Sequence, residues 1–217
     1  MFVSAVATEA QPPGSPVLGL EHGSANTYAY LLGIYLGDGY LANASSRSAR
    51  LEISLDPRYP KIVRECATAI ERLAGVEPTV GLRKTPKGTG LRIAATSAVW
   101  VAFFPQHGRG RKHERTIKLE PWQSAIVDRF PQPFLRGLIH SDGSRCINRF
   151  SVELASGPRE YAYPRYFFTN LSADVRGLFC ETCDALGIRW SRPSHKNIAI
   201  SERRSVALLD SFVGPKE

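Results

Sequence analysis

The sequence predicts an α+β protein made of two copies of one αββαββα half. Three observations support this fold class. Residues 31–39 (LLGIYLGDG) match residues 135–143 (LRGLIHSDG) at an offset of 104. Residues 92–96, with the apolar run after them, match residues 197–201 and their own apolar run at an offset of 105. Helix-like and strand-like periodicities alternate in the same order within both copies, so an internal duplication accounts for the whole pattern.

The first copy begins with a helix over residues 27–37 that ends at an Asp-Gly pair. A strand over residues 50–55 alternates cleanly, with Leu51, Ile53 and Leu55 on one face, which is typical of a half-buried antiparallel strand. The remaining predicted elements are strands over 40–44, 79–85 and 90–96 and helices over 59–73 and 98–104.

The second copy repeats this order, with extra residues early in the half that include 157–163. Ser172 is a suitable N-cap for its middle helix, because a serine hydroxyl accepts a hydrogen bond from a free amide of the first turn. The predicted elements are helices over 133–141, 173–186 and 203–211 and strands over 146–154, 165–170, 188–193 and 197–201.

The repeat also sets the domain boundaries. We assign residues 27–105 to the first half, 106–130 to a linker and 131–217 to the second half, and we treat the Pro-, Gly- and Ala-rich residues 1–26 as a loose tail. The linker opens with the basic run His107–His113 and continues as a short helix from Pro121, a favoured first helical residue.

The excess of basic residues favours a polyanionic partner. The 217 residues carry 28 Lys and Arg against 20 Asp and Glu, a formal charge of +8 that favours nucleic acid first and an anionic membrane second. No apolar stretch is long enough to cross a bilayer, and residues 1–26 lack a basic secretory n-region. Cys180 and Cys183 form a lone C-x-x-C without a second ligand pair, so we expect no zinc and a reducing, intracellular setting.

The repeated motif places small residues four apart, as Gly33 and Gly37 in the first copy and Gly137 and Ser141 in the second. Residues at this spacing share one face of a helix, and small side chains there let two helix backbones approach closely. We therefore expect these four residues to form an interface between the two motif helices. Asp38 and Asp142 then lie close together at the adjacent helix ends.

Such an arrangement concentrates negative charge, because two carboxylates add to the partial negative charge of two helix C-termini. A hard divalent cation relieves this repulsion, and Mg²⁺ binds a few carboxylate oxygens together with water and phosphate. Paired carboxylates on a basic chain therefore suit metal-assisted hydrolysis of phosphodiesters. A lone Asp-Gly after an apolar helix is usually a helix stop, whereas two copies of the whole motif favour a functional role for Asp38 and Asp142.

Both motifs resemble the LAGLIDADG signature of homing endonucleases, and the resemblance covers about residues 27–212. It implies a saddle of two four-stranded antiparallel sheets that grips double-stranded DNA in the major groove. It also implies that a chain with two motifs acts as a monomer on a long, imperfectly palindromic site. By the same resemblance Asp38 and Asp142 are the catalytic metal ligands, with Gly37 and Ser141 as further metal-site candidates. The metal would be Mg²⁺, with Mn²⁺ or Ca²⁺ able to occupy the same sites.

The chain departs from the family pattern at two points. The sixth motif position, often Asp in the family, is Leu36 in one copy and His140 in the other. No Lys follows the fourth strand of either half, where many members carry one, and only Arg203 or Arg204 could substitute. Two alternatives therefore remain beside the endonuclease, namely a non-cleaving DNA-binding regulator and an RNA maturase.

Basic residues on the strands and their turns form the expected DNA-reading set, because a two-stranded ribbon fits the major groove and Arg reads guanine there. The set comprises Arg47, Arg50, Arg83, Lys84, Lys87 and Arg92 in the first half and Arg145, Arg149, Arg165, Arg189, Arg192, Lys196 and Arg203 in the second.

Overall fold

A computed structural model describes residues 22–45, 47–85, 88–214 and 216. Its first half has the predicted αββαββα order. The first helix starts at His22, five residues before the predicted start, so the end of the predicted tail is helical. The elements are α1 (His22–Asp38), β1 (Gly39–Ala42), β2 (Ala49–Leu55), α2 (Pro60–Ala74), β3 (Thr79–Thr85), β4 (Gly88–Ser97) and α3 (Val99–Phe103).

The second half follows the linker helix α4 (Pro121–Arg129), which begins at the predicted proline. Ser172 is the N-cap of the middle helix, as predicted, and its hydroxyl accepts from the backbone N–H of Val175. The elements are α5 (Pro131–Asp142), β5 (Gly143–Leu154), β6 (Gly157–Thr169), α6 (Ala173–Ala185), β7 (Asn197–Ile200) and α7 (Arg203–Phe212). No helix among the described residues has the length and apolar character to cross a bilayer.

The two sheets are antiparallel and differ in size. The first has the order β1-β2-β4-β3, and the second has the order β5-β6-β7. The strand predicted over residues 188–193 was wrong, since Ser191 alone forms a bridge there, with Ala199. Pro193 lacks the N–H that a ladder requires, which explains why the segment pairs at one point only. The four-stranded second sheet implied by the family resemblance is therefore three-stranded within the described residues.

One face of each sheet packs on the helices. In β2, Leu51 and Ile53 are fully buried on that face, and in β6 Tyr166 and Phe168 are buried in the same way. Phe168 also stacks on Phe179 of α6, with ring centroids 4.3 Å apart. We call the opposite side of each sheet its helix-distal face. Because side chains alternate along a strand, the residues between these buried ones line that distal face.

The linker helix is fixed to the first half by a buried polar contact. Gln123 of α4 is fully buried, and its side-chain amide donates a 2.7 Å hydrogen bond to the hydroxyl of Tyr28 in α1. Tyr28 in turn donates to the carbonyl of Phe103, also at 2.7 Å. This chain of bonds satisfies polar groups that would otherwise be costly to bury, so it ties the linker to α1 and α3.

Candidate active site

The motif helices α1 and α5 meet along the predicted small residues. A Cβ added to Gly33 would lie against the carbonyl oxygen of Phe134 and 2.8 Å from the backbone nitrogen of Leu138. A Cβ added to Gly137 would lie against the carbonyl oxygen of Tyr30 and 3.0 Å from the Cα of Gly33. The two backbones therefore touch at this crossing, where any residue larger than glycine would force them apart.

The same contact brings the ends of the two helices together. A Cβ added to Gly37 would collide with Ser141 and would lie 2.8 Å from a carboxylate oxygen of Asp142. Ser141 fills this contact while its hydroxyl donates to the carbonyl of Leu138 in its own helix. The carboxylate of the second motif is thus placed beside the last turn of the first motif helix.

Asp38 and Asp142 end α1 and α5 and line a shared open cleft of about 580 Å³. The cleft is also lined by Gly37, by Ser54 at the end of β2 and by Lys112 of the linker. The cleft is therefore bounded by the end of the first motif helix, by the ends of strands and by the linker.

The pKa values of both aspartates in the cleft are raised, as expected for two carboxylates placed close together. Burial, together with the neighbouring carboxylate of Asp142, raises the pKa of Asp38 to about 7. Burial also raises the pKa of Asp142, although a hydrogen bond from Asn170 and the charges of Lys112 and Lys216 oppose the shift. Two desolvated carboxylates that disfavour each other's charge form a site that gains stability when a cation binds.

Asn170 makes the two carboxylates unequal. Its side-chain amide donates a 2.7 Å hydrogen bond to Asp142, and sequence reasoning did not identify it. Gly39 pairs with Ile53 in the first sheet, and Gly143 pairs with Phe168 in the second. Leu55 lies two residues after Ile53, and Asn170 lies two residues after Phe168. The two therefore occupy equivalent positions in the two halves. Asp142 is therefore oriented by an amide for which the first half has no counterpart at the equivalent position.

Two lysines approach the helix ends, and sequence reasoning missed both roles. The ammonium of Lys112 donates to the carbonyl of Tyr35 and lies 3.2 Å from that of Leu36. The ammonium of Lys216 donates to the carbonyls of His140, at 3.1 Å, and Gly143, at 2.5 Å. Lys112 therefore satisfies terminal carbonyls of α1, and Lys216 satisfies one of α5, where a cation also complements the helix dipole.

The charges of these lysines respond to the site around them. Burial lowers the pKa of Lys112 to about 8, and the charges of Asp38 and Asp142 oppose this shift. Burial also lowers the pKa of Lys216, and the charges of Asp38 and Asp142 again oppose the shift. The two ammonium groups are thus the counter-charges of the two carboxylates, and they come from the segments after α3 and α7 rather than from the strand ends.

His140 is a structural residue of the helix interface. It is 4% exposed, and its Nδ1 lies 3.1 Å from the hydroxyl of Tyr30. Burial and the charge of Arg136 lower the pKa of His140 to about 3, so the imidazole is neutral. A neutral ring held between α1 and α5 packs the interface and does not face the cleft.

The donor set of the cleft fits a hard divalent cation. Two partly buried carboxylates line the cleft, and carboxylate oxygens are ligands that Mg²⁺ and Ca²⁺ prefer. No cluster of three or more His, Cys, Asp or Glu side chains occurs in the part of the chain that the structure describes. Such a cation would therefore complete its coordination with water and with the phosphate of a substrate.

The helix-distal face of the first sheet carries a subset of the predicted basic residues. Arg83 pairs with Gly90, and Arg92 pairs with Ser54, which places both on that face. Arg50 lies there too and shares Glu52 with Arg92, at 3.1 and 3.3 Å respectively. Lys84, one residue from Arg83, faces the other side.

The second sheet sorts its predicted residues differently. Arg165 lies on the helix-distal face, opposite Cys146. Arg145 lies on the helix side, where it forms a two-pronged ion pair with Asp210 of α7 at 2.8 and 2.9 Å. Arg149 faces the same side as Arg145. Arg145 and Arg149 therefore both lie on the helix side of β5, away from the helix-distal face on which DNA contacts were expected.

Five of the other predicted basic residues lie outside the strands. Arg47 lies between β1 and β2, and Arg203 is the first residue of α7. Lys87 lies outside the described residues. The remaining three, Arg189, Arg192 and Lys196, lie in the segment between α6 and β7.

No protein-family model matches the sequence, and no curated protein matches it. Solved structures do match. The homing endonuclease I-WcaI bound to its DNA recognition sequence gives a TM-score of 0.56 at 12% identity, over 97% of this chain and 90% of that chain. Mesophilic variants of the homing endonuclease I-DmoI give 0.52 at 16% identity, over 88% and 97%. Full-length DUF199/WhiA from Thermatoga maritima gives 0.54 at 14% identity, over 94% of this chain and 60% of that chain.

These neighbours define the class of fold. The chain has the LAGLIDADG homing-endonuclease fold, an α+β fold of antiparallel sheets, as the two motifs predicted. Neighbours with this fold include homing endonucleases solved on DNA. At identities of 12–17% the likeness concerns architecture alone.

Proposed function

We propose that the chain is a divalent-metal-dependent endonuclease that hydrolyses phosphodiester bonds of double-stranded DNA. The observation that carries the proposal is the pair Asp38 and Asp142, which lie close together, partly buried, at the ends of two touching helices. A pure DNA-binding protein has little use for two carboxylates at a surface that approaches a polyanion. Crystals of the neighbour I-DmoI in complex with its DNA contained Ca, Mn or Mg, in keeping with such a site.

Each residue of the cleft has a part in this chemistry. Asp38 and Asp142 would hold Mg²⁺, or Mn²⁺ or Ca²⁺ in its place, with the Gly37 carbonyl beside them. The bound cation would activate water and stabilise the leaving oxygen. Asn170 fixes the orientation of the Asp142 carboxylate. The ammonium groups of Lys112 and Lys216 would stabilise negative charge that develops on the scissile phosphate.

The rest of the molecule supplies the DNA contact. Arg50, Arg83 and Arg92 on the first sheet and Arg165 on the second share the helix-distal side of the strands, where the major groove would lie. We propose that one chain, as a monomer, spans a long and imperfectly palindromic site, because its two halves are similar in fold and different in side chains. Arg47, Arg189, Arg192, Lys196 and Arg203 are proposed contacts from loops and from the start of α7.

A random duplex library tests this function directly. The full chain is incubated with the library in Mg²⁺ or in EDTA, and bound and cut molecules are sequenced separately. We expect recovery of a long site in both conditions and cut ends only with Mg²⁺. A site that is bound and never cut, with Mg²⁺ or Mn²⁺, would contradict the enzyme and support the non-cleaving regulator. Retention of structured RNA in place of duplex DNA would support the maturase.

A further inference from the structure

The hairpin of β5 and β6 extends well beyond the second sheet. β7 pairs only with residues 166–169 of β6, whereas β5 and β6 pair with each other from Gly143 to Leu154. Residues 147–163 therefore form a two-stranded ribbon that no other described strand joins. We call these residues the ribbon.

One face of the ribbon is apolar. Phe150 stacks on Tyr161 with ring centroids 5.4 Å apart, and Tyr163 lies 6.0 Å from both rings. Val152 and Leu154 continue the same face toward the tip. Phe150, Tyr163, Val152 and Leu154 are 37–41% exposed, so a row of apolar side chains is open to solvent. Exposed apolar rows of this kind mark binding surfaces.

The ribbon contributes no net charge. It contains Arg149 and Arg159 against Glu153 and Glu160. The guanidinium of Arg159 lies 5.4 Å from the ring centroid of Tyr161, on the apolar face. The first sheet, by contrast, presents several arginines on its distal face. The first sheet and the ribbon therefore differ in how they would hold a polyanion, the sheet mainly by charge and the ribbon mainly by apolar contact.

The position of the apolar face indicates its occupant. Phe150, Tyr161 and Tyr163 lie on the same helix-distal face as Arg165, and β5 begins directly after Asp142. A strand of 12 residues is about 40 Å long at the usual rise, slightly more than the roughly 35 Å of one turn of B-DNA. A two-stranded ribbon also has the width of the major groove. Duplex DNA aligned on the aspartate pair would therefore run along this face.

We propose that the ribbon reads its half-site through the 5-methyl groups of thymine, which are the apolar features of the major groove. This inference rests on the proposed function, since it needs duplex DNA on the distal face. It assigns specificity in the second half to Phe150, Val152, Tyr161 and Tyr163. Recognition by the ribbon itself would depend on methyl groups and would depend little on salt.

Replacement of thymine by deoxyuridine in the duplexes recovered by binding in EDTA tests the inference, since it removes the methyl group and keeps the base pair. The full chain is titrated with duplexes substituted in one half-site or in the other. We expect about a fourfold loss of affinity for each contacted methyl in one half-site, as for burial of one methylene-sized group, and no loss in the other.

Matched variants identify the residues. Phe150→Ala and Tyr163→Ala should weaken binding about tenfold and should abolish the sensitivity to deoxyuridine. Ile147→Ala is the control, because Ile147 is 45% exposed on the opposite face of the same ribbon. It should leave both quantities unchanged. The helical content of all three variants should equal that of the parent, and their melting temperatures should fall only slightly, since each side chain is partly exposed and lies outside the core.

The outcomes separate this inference from the proposed function. Duplex binding that is indifferent to deoxyuridine in both half-sites, or a selected site without thymine in the second half, overturns the ribbon proposal alone. A chain that binds no duplex overturns both proposals. A parent that sediments as a dimer, and a Phe150→Ala variant that sediments as a monomer, would show that the face binds a second copy and would also overturn the ribbon proposal.

Discussion

Lys112 and Lys216 are 104 residues apart, the same separation as Asp38 and Asp142. Each donates to a carbonyl at the C-terminal end of one motif helix, Lys112 to α1 and Lys216 to α5. The duplication therefore extends to the counter-charges of the carboxylates and includes segments that lie outside the repeated helices and strands. Two carboxylates and two ammonium groups therefore lie at the adjacent ends of the two motif helices.

The first prediction concerns these lysines. Lys112→Met and Lys216→Met should each slow cleavage about a hundredfold, because a positive charge that faces developing phosphate charge is lost. Affinity for the uncut site in Ca²⁺ should change less than threefold. Single-turnover cleavage and equilibrium binding measure the two effects. Lys118→Met, which removes an exposed linker lysine, should change neither, and equal losses in all three variants would contradict a role at the cleft.

The helix crossing gives a second prediction. Gly33→Ala and Gly137→Ala should lower the free energy of unfolding by about 2 kcal/mol or more, because backbone atoms block the added methyl group. Gly177→Ala is the matched control, since Gly177 lies inside α6 with no atom near its missing Cβ. It should stabilise by about 0.5–1 kcal/mol through helix propensity. Chemical denaturation would reveal the opposite signs, and tolerance of alanine at Gly33 would mean that the helices do not touch there.

Adjacent residues on β3 provide a third prediction. Arg83 lies on the helix-distal face and Lys84 on the other, as the strand register requires. Arg83→Ala should weaken DNA binding and should lower the slope of log affinity against log salt by about one. Lys84→Ala, with the same change in charge, should have a much smaller effect. Equal effects of the two changes would place the DNA elsewhere.

Much of the fold could be predicted from the sequence because each copy of the repeat supports the interpretation of the other. Gly33, Gly137 and the two aspartates lie in matching nine-residue segments, and the structure brings them together as expected. β2 could be predicted because its alternation is regular over seven residues. The strand predicted over residues 188–193 was wrong because apolar alternation cannot show that Pro193 interrupts the ladder.

The lysines and Asn170 could not be predicted from local pattern. Lys112 and Lys216 share no neighbouring residues that match. Both follow the last helix of their repeat copy, whereas the family pattern places a lysine near the end of the fourth strand. Their offset of 104 was the available signal. Asn170 acts across the sheet through the pairing of β5 with β6, and this register depends on a hairpin whose length the first half does not repeat.

The fourth prediction concerns stability without metal. Because the pKa of Asp38 rises from 3.8 to about 7 on folding, the native state holds a proton that the unfolded state releases. The free energy of unfolding should therefore fall as pH rises through this range, and the loss should be complete above it. Asp38→Asn should thus raise the free energy of unfolding in EDTA by about 1 kcal/mol or more at pH 8 and change it little at pH 4. Millimolar Mg²⁺ should stabilise the parent more than the variant, and a variant less stable than the parent at pH 8 would refute the repulsion.

The last prediction concerns cleavage itself. Asp38→Asn and Asp142→Asn keep the side-chain shape and remove a charged oxygen ligand for a hard cation, so each should lower the cleavage rate at least about a thousandfold. Affinity for the site in EDTA should stay equal or increase, because one repulsion between carboxylate and phosphate is gone.

Asp142 lies beside the last turn of α1, and both carboxylates line one cleft. We therefore expect each single change to suppress cleavage of both strands, which separate end labels on the two strands would show. Asp128→Asn removes the same charge from the exposed face of α4 and should cut at the parental rate. If either cleft variant cut one strand at full rate, the two halves would use independent sites. If it cut both strands at full rate, the active site would lie outside this cleft.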